Sequence, residues 1–130
     1  MILVDSSVWI DFFNGTKNTG TDKLNEILGL EEVVIGDLIL AEVLQGFKND
    51  TDYKAAKNVL TSLEVHDLLG KELAIKSANN FRKLRKKGIT IRKTADVIIA
   101  TYCIENKIPL LFTDKDFLPF VDNLRLKSAC

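Results

Sequence analysis

MILVDSSVWIDFF (residues 1–13) carries most of the fold question. Ile2, Leu3 and Val4 run unbroken into Asp5, and the chain then changes from a continuous apolar stretch to helix-like spacing through VWIDFF. A short strand with no polar residue is covered on both faces, which is the habit of parallel sheets rather than antiparallel ones. Ser6 and Ser7 stand where a helix cap is needed. Asp5 therefore falls just past the carboxyl end of a buried strand, where open α/β sheets build their ligand crevices.

Working outward, the same alternation recurs. VVIG (33–36), LEV (63–65) and LLF (110–112) read as further buried strands, and LRL (124–126) as an edge strand. Between them, helical spacing predicts a helix capped by Thr21, one capped by Asp37 through LILAEVLQ, and one over 52–62 with Tyr53, Ala56, Val59 and Leu60 inward. The longest helix is expected over 71–87, with Ala74, Ala78, Phe81 and Leu84 on its buried stripe; Thr94 then caps a helix to about Asn106. Strands alternating with helices imply a three-layer α/β/α domain around a small parallel sheet of about five strands. No internal repeat or linker interrupts the chain, so residues 1–130 are expected to form one domain.

Composition narrows the chemistry. The 130 residues are 46% hydrophobic and 28% charged, with zero net charge, so any polyanion site must be a local patch. No apolar stretch reaches the ~20 residues of a membrane span, and ILVD lacks the basic start of a signal peptide, so a cytoplasmic protein is expected. Two cysteines, with no CxxC or Cys/His cluster, argue against zinc held by sulfur. The single histidine, His66, follows a strand and lacks an elbow-like serine motif, so it reads as a solvated strand-end residue rather than a base.

Four acids sit where acids are costly: Asp5 closes ILVD, Glu42 interrupts LILAEVL, Asp96 opens the apolar run ADVIIATYCI, and Asp114 follows PLLFT. Asp5 could merely cap a helix, and Asp96 lies in a first turn that favours an anion. Glu42 has no such excuse: its helix is apolar nearly all round, with no basic residue within a turn. An unpaired buried carboxylate protonates or finds a compensator, and one divalent ion would compensate all four. Oxygen donors suit Mg²⁺, with Mn²⁺ as a substitute. Such an ion polarises a phosphodiester and acidifies water, so no protein nucleophile is required. In TDKDF, Asp116 competes with Asp114 for the fourth place.

Taken together, ILVDSSVWIDFF, LILAEVLQG, TADVIIATYC and LLFTDKDF resemble the PIN domain family, and most closely the VapC-type toxin ribonucleases of toxin–antitoxin pairs. Each motif alone is weak; four in order across the whole chain are specific. The resemblance implies a metal-dependent endoribonuclease acting on RNA. Asp5, Glu42, Asp96 and Asp114 become its metal-site acids, with Asp116 as the alternate and Ser6 and Thr113 as polar neighbours. It also implies a homodimer and a cognate VapB-like antitoxin whose tail enters the acidic groove.

FRKLRKKGITIRK (81–93) adds seven basic residues and no acid just before Asp96. Arg82, Lys83, Arg85, Lys86, Arg92 and Lys93 are therefore candidates for RNA contact, although a solvated helix face explains most such runs. Two rival families fit less well. A haloacid-dehalogenase-like phosphatase needs an acid where Ser7 stands. A receiver-like signalling module would use Asp67 as phospho-acceptor but lacks the paired early acids.

Overall fold

Ile2–Val4 forms β1 in the computed structural model, which describes residues 1–130, and all three of its residues are buried. The chain continues through α1 (Ser6–Phe13), α2 (Thr19–Ile27), β2 (Val33–Gly36), α3 (Asp37–Leu44) and α4 (Asp50–Thr61). β3 (Glu64–His66), α5 (Lys71–Lys86), α6 (Thr94–Asn106) and β4 (Leu110–Leu111) follow, and a 3-10 turn (Lys115–Phe117) leads into α7 (Leu118–Leu124). The strands lie in the order β3-β2-β1-β4 and every pair is parallel. Leu3 is matched to Val34 on one side and Leu110 on the other, so β1 is a central strand. Because the chain builds outward from β1 to β3 and then returns to β1's other edge, β1 is also where strand order reverses. Helices flank this sheet in a three-layer α/β/α arrangement.

The sheet has four strands, not the expected five. LRL is no strand: Leu124 ends α7, Arg125 turns the chain through φ 65°, and the Leu126 amide bonds back to the Phe120 carbonyl at 3.2 Å. This is a helix-terminating pattern, and it uses the backbone groups a strand would need. Only a single bridge beyond it, Leu110 to Ser128, touches the sheet.

Several caps fall one to three residues away from their expected places. Asp5 rather than Ser6 or Ser7 caps α1, and Asn18 caps α2 with Thr21 returning the bond as a reciprocal box. Asp37 is the first residue of α3, yet its carboxylate still accepts from the Leu38 amide at 2.8 Å and the Leu68 amide at 3.1 Å. It thereby ties α3 to the segment after β3. The helix after Lys93 begins at Thr94 without a side-chain cap.

Two inward faces also differ from expectation. In α5 the buried residues are Ser77, Asn80 and Leu84, whereas Ala74 and Ala78 are exposed and, with Val97 and Ile98, line an open apolar groove between α5 and α6. Val59 in α4 is 44% exposed while Ala56 and Leu60 are buried. α6 is covered on nearly all sides; even Thr101 is fully buried, where it accepts from Asn80 Nδ2 at 3.0 Å. Thr101→Val should therefore destabilise the fold by about 1–3 kcal/mol, since it strands a buried amide donor. Denaturant midpoints would check this, and an unchanged midpoint would show the bond to be dispensable.

Trp9, Phe117 and Phe120 are among the fully buried side chains, and Trp9 stacks on Phe13 with centroids 6.0 Å apart. Gly20 brings α2 against β4's exit: a Cβ there would meet Thr113 Cγ2 at 2.5 Å. No helix is long and apolar enough to cross a membrane.

Candidate metal centre at the strand ends

The acids converge because each follows a strand or opens a helix at the same end of the sheet. Asp5 leaves β1 and caps α1; Asp114 comes three residues after β4 and caps the 3-10 turn. Glu42 projects from α3, which begins directly after β2, and Asp96 stands in the first turn of α6. This is the crevice beside the strand where sheet order reverses, the usual ligand position in such sheets.

Their environments are unfavourable for anions. Asp5 is 2% exposed and Asp96 6% exposed, while Glu42 and Asp114 are half-buried. One oxygen of each of Asp5 (Oδ1), Glu42 (Oε1) and Asp96 (Oδ2) is buried without a hydrogen-bond partner. Buried polar atoms are almost always bonded, so three unpartnered acceptors in one crevice require a reason.

The carboxyl acidities carry the same message. Burial raises Asp5 above the ordinary carboxylate range and Asp114 adds repulsion, against hydrogen bonds from Ser7 and the Ser6 and Ser7 amides. Burial likewise raises Glu42, with Asp5 pushing the same way, and Ser6 and Lys93 opposing. Asp96 is raised to about 7 by burial, then by Asp5, Asp114 and Glu42, with Lys93 alone opposing. The acids thus repel one another across the crevice, and Lys93 is the cation that partly answers two of them.

Asp96, Asp114 and Asp116 each offer an oxygen within 4.8 Å of the other two. These oxygens are close enough to share one ion, and both Asp114 and Asp116 lie among them. Asp5 and Glu42 lie outside that trio but border it through charge, Asp5 feeling Asp114 and Glu42 feeling Asp5, so the crevice is lined by oxygen donors of the kind a hard divalent ion takes. The unpartnered buried oxygens make the same point by geometry.

The polar support is divided differently from the expected pair of Ser6 and Thr113. Ser7 is the hydroxyl that holds Asp5, donating to Oδ2 at 2.8 Å, and it lies 3.5 Å from Thr113 Oγ1. Ser6 neighbours Glu42 instead. Which serine turns to the strand-end carboxylate depends on where α1 begins, a one-residue matter that the pattern Asp-Ser-Ser leaves open.

The basic run splits in two. Arg82, Lys83, Arg85 and Lys86 lie exposed on the last turns of α5, with Arg85 packed over the Phe81 ring at 5.6 Å. Arg92 and Lys93 belong to the acidic crevice: Arg92 Nη2 lies 3.2 Å from Asp116 Oδ2. His66 is not a solvated residue. It is half-buried, with Nδ1 2.7 Å from Tyr102 Oη and Nε2 2.9 Å from Glu64 Oε1. Asp67 is exposed, beyond the edge strand β3 and not beside the strand where a receiver-like acceptor would stand.

Comparison with known proteins agrees with this architecture. The PIN domain family model matches residues 2–120. The chain is 29% identical to Ribonuclease VapC11 of Mycobacterium tuberculosis over 135 residues, covering 98% of both proteins. Its fold resembles the VapBC2 complex of Rickettsia felis bound to a promoter DNA fragment, with a TM-score of 0.76 at 19% identity over 98% of this chain and 97% of the other. FitAcB of Neisseria gonorrhoeae has a TM-score of 0.72 at 17% identity, over 98% and 96% of the two chains.

Proposed function

This chain belongs to the PIN domain family, and on that premise we propose that it is a metal-dependent endoribonuclease, the toxin of a toxin–antitoxin pair. The observation that carries the reading is the convergence of Asp5, Glu42 and Asp96, each with an unpartnered buried oxygen, beside Asp114 and Asp116. The close likeness in length and sequence to a VapC ribonuclease supports the substrate class.

In this reading Asp96, Asp114 and Asp116 hold Mg²⁺ or Mn²⁺, with Asp5 and Glu42 completing the site. A bound divalent ion would supply Lewis-acid polarisation of the scissile phosphate and acidify an attacking water. Ser7 keeps Asp5 oriented through its 2.8 Å bond. Glu42 turns its unpartnered Oε1 into the same buried surroundings as Asp5, whose charge it feels. Lys93 tempers the anionic crevice so that RNA phosphate can approach. The expected partners are RNA, a second copy of the chain and a VapB-like antitoxin, in a cytoplasmic setting.

The direct test incubates purified protein with single-stranded RNA in Mg²⁺, in Mn²⁺ and in EDTA, and maps the cleaved ends. Cleavage dependent on the ion and suppressed by co-produced antitoxin is expected. Absence of cleavage with both ions would remove the enzymatic reading.

The outer basic cluster makes a separate prediction. Changing Arg82, Lys83, Arg85 and Lys86 to Ala should weaken RNA binding and flatten its dependence on salt, by about 0.7 in log–log slope for each phosphate the protein no longer neutralises. An unchanged slope, measured by fluorescence anisotropy, would return these residues to ordinary helix surface.

A further inference from the structure

Arg92 is 77% exposed, yet its guanidinium is aimed back into the acidic crevice, with Nη2 3.2 Å from Asp116 Oδ2. Its neighbour Lys93 already opposes the charge of Glu42 and Asp96. Asp116 is one of the three carboxylates whose oxygens lie within 4.8 Å of one another. The same carboxylate is therefore claimed by a side chain of this chain and by the shared acidic cluster. A long, exposed side chain loses rotamer freedom to hold such a pair, and surface pairs of this kind are weak and easily exchanged. An arginine fork also suits phosphate as well as carboxylate.

We propose that Arg92 is a positioning residue that competes with the divalent ion for Asp116, and that its guanidinium, once displaced, becomes a contact for RNA phosphate. This rests on the metal-centre reading above and adds a device to it. Asp116 passes from guanidinium to metal, and Arg92 passes from carboxylate to substrate. Metal loading and RNA grip are coupled through one side chain, with no rearrangement of α6 or the 3-10 turn. The arrangement also accounts for the proximity of both Asp114 and Asp116: Asp114 is fixed by its bond from the Asp116 amide at 2.9 Å, whereas the Asp116 carboxylate is held only from the surface.

The consequence is a pair of effects of opposite sign. Calorimetric titration with Mn²⁺ should show Arg92→Gln binding the ion about 3- to 10-fold more tightly than the unmodified chain, because a competing positive charge is gone. In an Asp116→Asn background the same substitution should change affinity less than about 2-fold, since the contested carboxylate is absent. At saturating Mn²⁺, Arg92→Gln should raise the KM for RNA roughly 10-fold. A residue that merely braced the site would lose metal affinity and RNA binding together. Equal or weaker Mn²⁺ binding by Arg92→Gln, an undiminished effect in the Asp116→Asn background, or an unchanged KM would each overturn the proposal while leaving the metal centre standing. No Mn²⁺ binding by any of the proteins would remove the metal centre and this proposal with it.

Discussion

Asp96→Asn should reduce RNA cleavage at saturating metal by at least ~10³-fold while leaving the fold intact or more stable. The two halves of that result have one cause. Asp96 is almost fully buried with Oδ2 unpartnered, and Asp5, Asp114 and Glu42 all push its acidity down. An amide of the same shape removes the repelling charge, so the fold gains; it also removes an anionic oxygen from the cluster meant to hold the ion, so catalysis fails. Most buried-site substitutions lose stability and activity together. Cleavage kinetics paired with denaturant midpoints in EDTA separate the cases. Cleavage at the unmodified rate would sink the assigned site, and a sharp loss of stability would make Asp96 a structural residue instead.

The second large effect is on stability against pH. Asp96 is raised to about 7 in the folded chain, against 3.8 when unfolded. Below pH ~3 both states carry the proton and the acid costs nothing. As pH rises toward 7 the unfolded state releases it first, so the folded state is progressively disfavoured, and above about 7 the full penalty stands. A shift of this size has a ceiling of about 4 kcal/mol at ~1.36 kcal/mol per unit. EDTA-treated protein should accordingly be less stable at pH 7.5 than at pH 5, and Asp96→Asn should flatten the difference. Mn²⁺ at about 100 times its dissociation constant should return about 2.7 kcal/mol at pH 7.5. Denaturation midpoints that are independent of both pH and metal would contradict the electrostatic account.

The parallel sheet and the acids were legible in the sequence for the same reason. A buried strand leaves an unbroken apolar run, and an acid at its end stands out against that run, as Asp5 does after ILV and Asp114 after LLFT. Glu42 was visible because its helix is apolar all round. Register and rotation were not legible. Ser6 and Ser7 exchange roles with a one-residue change in where α1 starts. The inward face of α5 misled because two of its buried residues are polar, Asn80 bonded to Thr101 and Ser77 with an unpartnered hydroxyl, while its alanines face an open groove. LRL has strand-like composition, but Arg125 adopts a left-handed conformation that no apolar count reveals. Arg92 looked like one more member of a basic run; its pairing with Asp116 joins residues 24 positions apart and depends on the turn after β4.

That β1 and β4 lie side by side has a bearing on how the protein is made. The crevice joins Asp5, at the beginning of the chain, to Asp114 and Asp116, near its end, through strands that pair across more than a hundred residues. Chains begin folding from the amino terminus during synthesis, and contacts this distant in sequence form late. β2 and β3 can join β1 early, but the acidic crevice lacks one wall until translation has passed Phe117. A nascent chain therefore carries Asp5 and Glu42 without Asp114 and Asp116 beside them. The carboxylates of the first and last strands meet only once β4 has docked along β1.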